Sequence, residues 1–156
     1  MKRNLLTFIT VLGISVIFQA KAQVVHEDES DFLDMVVNDH YQIFDMSCIP
    51  SVVEMVLKYH EVVDQDYYDL QIAWKNKLDG SFRNFHEKEL YGITFFQEFV
   101  MTRDESFPID SLFQRIENEL QSGRKVIISL SSGPGWHMYV INRQTPDGEF
   151  VAYSKS

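Results

Sequence analysis

The sequence predicts an α+β fold, with helices from the first half of the chain packed on an antiparallel sheet formed at its end. Three observations carry that prediction. A strong amphipathic helix follows the single cysteine, Cys48, and a second clear helical period occupies residues 109–121. After Gly123 the pattern changes to short apolar runs of period two, separated by Gly133-Pro134-Gly135 and Pro146-Asp147-Gly148. Consecutive strands with such short turns make an antiparallel meander.

The first 22 residues read as an export signal. Lys2 and Arg3 precede an apolar run over residues 5–18, and Ala20-Lys21-Ala22 stands before Gln23 in the A-x-A pattern of a cleavage site. A membrane span takes about 20 apolar residues, so this shorter run is expected to be cleaved and not to anchor the chain. The fold is therefore read from residue 23 onward, as an acidic leader over residues 23–37 and one domain over residues 38–156, periplasmic or extracellular in location. Setting the signal aside leaves 11 basic against 23 acidic residues, a net charge of −12. That balance argues against a nucleic-acid partner, whose phosphates it would repel.

Residues 23–31 are charged and expected to be loosely ordered, and residues 32–37 are apolar but too short to assign by period. Residues 41–60 hold the main helix. Val52, Val53, Val56, Leu57 and Tyr59 give it a broad apolar face, and Pro50 suits its first turn because the missing N–H has no intrahelical partner there. A second helix is predicted over residues 67–77 with Asp66 as its N-cap. Residues 78–89 show no period, contain the Asp79-Gly80 turn signal and are expected to form a mobile loop. Phe82 and Phe85 in that loop, with Trp136, are candidates for the apolar wall of a binding site or for plain core residues. Residues 93–101 lean to strand through their aromatic content. The helix over residues 109–121 places Leu112, Ile116 and Leu120 in register between Asp110 and Ser122-Gly123. Strands follow at residues 125–131, 136–143 and 149–153.

The chemistry centres on Cys48. A cysteine at the start of a helix meets free backbone N–H groups and the positive end of the macrodipole, both of which favour thiolate. With one cysteine the exported chain can form no internal disulfide, so the thiol is either buried or used. Gln42 lies six residues upstream and can donate hydrogen bonds toward the same spot. His137 follows the Gly-rich turn. If the sheet's edge lay against the Cys48 helix, imidazole could take the thiol proton, the thiolate could attack a carbonyl carbon, and the Cys48 N–H with the Gln42 amide could hold the oxyanion. The stretch from His86 to Glu89 lacks the second histidine of a zinc-protease helix, so no metal is expected, and thiol chemistry needs no cofactor.

Gln42, five intervening residues, Cys48, Pro50-Ser51 and an apolar helix, then a helix, the GRKVIISL strand and Trp136-His137-Met138-Tyr139-Val140, resemble the papain-like cysteine peptidases. Within these the chain looks most like the bacteriocin-processing, double-glycine peptidases and their exported relatives. The resemblance spans residues 38–154 and implies a papain-like fold acting on a peptide or protein substrate. It implies Cys48 as nucleophile, His137 as base and acid, and Gln42 in the oxyanion hole. Two departures stand out. Ile49 replaces the glycine usual after the cysteine, reshaping the substrate's approach, and no aspartate follows the last strand to orient His137, leaving Ser154 as a neutral substitute. Three functions are therefore open: a peptidase, an acyl transferase of the phytochelatin-synthase kind, and an inactive peptide-binding module.

Overall fold

The computed structural model describes residues 9–16, 28–102, 104–132 and 135–155. It is an α+β fold of one six-stranded antiparallel sheet with helices on both faces. Its elements are β1 (Ile9–Val16), α1 (Asp28–Asp39), α2 (Cys48–Tyr59), α3 (Asp69–Trp74), a 3₁₀ turn (Phe82–Asn84), β2 (Lys88–Leu90), β3 (Ile93–Glu98), α4 (Ile109–Gln121), β4 (Val126–Ser132), β5 (Gly135–Gln144) and β6 (Phe150–Tyr153).

Two smaller antiparallel units make up most of the sheet, which runs β2-β3-β1-β4-β5-β6. β2 and β3 form a hairpin whose turn residues, Tyr91 and Gly92, both have left-handed φ, 52° and 82°. That is the backbone a two-residue turn needs to match the twist of its strands, and Gly92 adopts it without a side-chain clash. β4, β5 and β6 form the predicted meander, with a bulge between Ile141 and Arg143. β1 lies between the two units, antiparallel to β3 from Val11 to Val16 and to β4 from Ile9 to Gly13.

Alternation along β4 and β5 splits the core in two. Ile127, Met138 and Val140 face α2 and pack with Val52, Val53, Val56, Phe85 and Phe95. Val126, Ile128 and Ile141 face α4 and pack with Leu112 and Ile116. The first-half helices thus cover one face as predicted, and α4 covers the other. Bidentate Arg115–Glu98 and Arg124–Glu119 ion pairs tie α4 to the end of β3 and the start of β4.

Several expectations are corrected. The acidic leader is helical from Asp28, because Leu33 and Val36 are fully buried, Val36 in the α2-side core, and Asp34 accepts a 2.5 Å hydrogen bond from the Tyr153 hydroxyl. The second helix is shorter than predicted and begins after Tyr68, with no side-chain cap from Asp66. The segment over residues 78–89 is pinned and not free: Phe82 and Phe85 are buried, and Phe85 stacks on Trp74 at 5.3 Å. Of the export-signal segment, residues 1–8 and 17–22 lie outside the described residues, as do residues 23–27 of the leader and Gly133 and Pro134 of the predicted turn. The middle of the apolar run is strand β1. No helix among the described residues is long and apolar enough to cross a membrane.

Candidate functional site

Cys48 is the first residue of α2, where the sequence places it. Its thiol is half-buried against the α2-side core. Burial pushes the thiol above its ordinary value, and the backbone N–H groups of Ile49 and Cys48 pull it down by less. The expected activation by the helix start is therefore outweighed by desolvation.

His137 lies near the start of β5. In β5 its neighbours Met138 and Val140 face α2, so by alternation His137 faces the other way. Its register partner Leu130 and its same-face neighbour Tyr139 both pack in the α4-side cluster, and the His137 and Tyr139 rings meet edge-on at 5.6 Å. No hydrogen bond joins His137 to the Cys48 sulfur among the described residues. The helix docks on a face of the sheet, and the alternation of β5 turns residue 137 toward the other face.

The ring is nevertheless held. Its Nε2 lies 2.8 Å from the Lys155 carbonyl oxygen. A carbonyl only accepts, so Nε2 carries the proton and a neutral ring has Nδ1 bare. The orienting group is thus the main chain of Lys155, and Ser154 does not fill that role. Trp136, on the Met138 face by alternation and 50% exposed, is the residue of this strand that emerges on the Cys48 side.

Gln42 is also engaged elsewhere. Its Nε2 donates to the carbonyls of Phe44 at 2.9 Å and Asp45 at 3.0 Å, which uses both amide hydrogens. Its buried Oε1 has no partner among the described residues. Gln42 therefore offers an acceptor, not the donor that an oxyanion hole requires. Ile49 is 4% exposed and belongs to the core, so it shapes packing and not a substrate's approach.

A buried polar cluster that sequence reasoning missed carries the loop before Cys48. Gln71 on α3 is fully buried. Its Oε1 accepts from the Ile43 N–H at 2.8 Å and the Ser47 hydroxyl at 2.7 Å, and its Nε2 donates to the Tyr41 carbonyl at 2.9 Å and Glu54 Oε2 at 2.7 Å. Nearby, Lys58 Nζ lies 3.0 Å from His40 Nδ1, and His40 Nε2 lies 3.0 Å from Ser51 Oγ. An ammonium only donates, so the His40 proton sits on Nε2, pointing at Ser51. Burial and the Lys58 charge hold the His40 imidazole down to about 3, so it is neutral at ordinary pH. Tyr68 stacks on His40, and Lys58 Nζ lies over the Tyr68 ring at 3.8 Å. The signal for this cluster was in α2: Glu54 and Lys58 sit one turn apart in a helix otherwise apolar all round, where a buried charge must find partners.

His86, in the stretch that lacks the second histidine of a zinc-protease helix, accepts from the Gln97 N–H at 3.0 Å through Nδ1. No group of three or more metal-ligating side chains lies together among the described residues. Comparison with protein-family models, curated proteins and solved structures gives no match for this chain.

Proposed function

We propose that the chain is an exported, papain-like peptidase-type domain that binds peptide segments beside the start of α2 and does not hydrolyse them in this arrangement. The observation that carries the choice is that His137 is bonded to the Lys155 carbonyl and packs beside Tyr139, with no hydrogen bond to Cys48 among the described residues. The raised thiol and the engaged Gln42 amide favour the same side. A binding surface is suggested by Tyr41, Ile43 and Met46, which are exposed on the loop leading into Cys48, with Trp136 half-exposed on the same side of the sheet. The peptide class of the ligand rests on the resemblance carried by Gln42, Cys48 and the helix after it. The strongly acidic chain is not suited to nucleic acid.

Wild type and Cys48→Ala are compared for affinity to a mixed peptide library and for turnover of peptide amides. Equal affinity with no turnover in either supports the binding module; an acyl group trapped on Cys48 by mass spectrometry overturns it.

The second reading, thiol-dependent hydrolysis or acyl transfer, is favoured by one observation. The Lys155 carbonyl leaves His137 in the tautomer with a bare Nδ1, the form that takes a thiol proton. It requires the ring to reach the α2 face. Products formed with added amine acceptors separate transfer from hydrolysis.

A further inference from the structure

Besides its own internal bonds and the Lys75–Phe44 and Lys155–Tyr41 ring contacts, loop 41–47 is hydrogen-bonded to one buried side chain, Gln71. Three of its groups, the Tyr41 carbonyl, the Ile43 N–H and the Ser47 hydroxyl, bond to Gln71. Gln71 is in turn held by a single carboxylate: its backbone N–H donates to Glu54 Oε1 at 3.0 Å and its Nε2 to Glu54 Oε2 at 2.7 Å. An ionised carboxylate accepts from both donors. A protonated one loses the charge that strengthens both bonds, and its hydroxyl oxygen is the poorer acceptor, so Gln71 is held less tightly at Glu54.

We propose that Glu54 and Gln71 form a proton-operated latch on loop 41–47, clamping it beside Cys48 when Glu54 is ionised and loosening it when Glu54 is protonated. The latch deepens the peptide-site reading, on which it rests for its purpose, by supplying the site's regulation. Its geometry is complete: Glu54, Gln71 and Ser47 are all fully buried, so water cannot substitute for a lost bond without the loop moving. Burial, outweighing the two Gln71 donors, Lys58 and the Leu70 N–H, raises the Glu54 carboxyl to about 7. The ionisable groups around it come from each packed element. On α2 it faces Lys58, which in turn feels Asp66. His40, after α1, touches Lys58 and is already neutral, and it also feels Lys155 after β6. Tyr67 and Tyr68, before α3, are held above the ordinary phenol value by burial first.

Because Cys48 is the chain's only cysteine, its alkylation by iodoacetamide, followed by intact mass, reports on the loop without ambiguity. Rates are expressed per thiolate after titrating the thiol in each protein. The full chain is expected to alkylate several-fold faster at pH 6 than at pH 8. Glu54→Gln should react at the fast rate at both pH values, and Gln71→Ala likewise. A step retained in Glu54→Gln, or a wild-type rate in folded Gln71→Ala, overturns the latch. Should either variant fail to fold, hydrogen exchange at the Ile43 amide of wild type decides: protection, corrected for intrinsic exchange, must fall from pH 8 to pH 6, and constant protection overturns the proposal. Peptide affinity of wild type is measured separately. A chain that binds no peptide yet shows the step removes the peptide-site reading and leaves the latch standing.

Discussion

His137 makes no hydrogen bond to Cys48 among the described residues: the imidazole is held by the Lys155 carbonyl beside Tyr139, and the thiol packs against the α2-side core. A direct consequence follows for the thiol's titration. An imidazolium paired with a thiolate lowers the cysteine by well over one unit, so removing the histidine of a true pair raises it again. Here His137→Ala is expected to leave the midpoint of the Cys48 alkylation profile unmoved and the rate within about twofold of wild type. A midpoint shifted up by a unit or more would show that the ring reaches the sulfur.

The packing under residues 78–89 yields a second prediction. A Cβ on Gly80 would stand 2.3 Å from Trp74 Cζ3, far inside contact distance. Trp74 would have to leave its stack on Phe85, which the core holds on the other side through Phe95. Gly80→Ala should therefore destabilise the chain by about 1–3 kcal/mol, the usual range for overpacking. Urea denaturation followed by tryptophan fluorescence measures it, and an unchanged midpoint would mean that Trp74 can shift freely.

The contrast between these two cases marks what the sequence could disclose. Local signals did well: the 3.6-residue period of Leu112, Ile116 and Leu120 predicts α4 with both ends as observed, and the turn residues after β4 and β5 predict the meander. Period two also fixes that His137 and Met138 point apart, yet it is silent on which of them faces α2. That depends on how the helix docks, a long-range choice made by the packing of Met138 and Val140 against Val53 and Val56. The partners of His137 and Gln42 are main-chain carbonyls, which no side-chain motif encodes, so Lys155 was invisible where Ser154 was the natural guess. Residues 78–89 looked like a loop because they lack a period, but two phenylalanines suffice to pin a periodless segment. The polar cluster was half legible: Glu54 and Lys58 interrupt an apolar helix, and only their partner Gln71, 17 residues from Glu54, was hidden.

Strand β1 gives a third expectation. It supplies hydrogen bonds to one side of β3 and one side of β4, so a chain cut after Ala22 would leave both strands with an open edge. Hydrogen exchange in β3 and β4 should then be at least about tenfold faster in a chain beginning at Gln23 than in the full chain, while the β5–β6 pairing keeps its protection. Equal protection in the two chains would show that β3 and β4 find another partner once the segment is gone.

The last prediction concerns stability against pH, where two buried groups oppose each other. His40 falls from 6.5 to about 3 in the fold, so between those values the unfolded chain binds a proton that the native chain does not. Its contribution to stability therefore rises with pH across that window and is complete above 6.5. Glu54 rises from 4.5 to about 7, so between those values the native chain holds a proton that the unfolded chain has released. Its contribution falls as pH rises through that window and is lowest above 7. From pH 4.5 to 6.5 the two slopes cancel, and the pair leaves stability nearly flat. Below pH 4.5 His40 is the one of the pair still acting, and its contribution drops by about 1.4 kcal/mol per pH unit as far as pH 3. Glu54→Gln removes one side of the balance. Its stability should climb by on the order of 2 kcal/mol between pH 4.5 and 6.5, where wild type is level. Urea midpoints across that range measure both proteins, and a level profile in Glu54→Gln would mean that His40 is not held neutral by the cluster. Because the native chain takes up the Glu54 proton in the same pH range in which the latch is expected to loosen, the variant that uncovers the His40 slope should also lose the pH step in Cys48 alkylation.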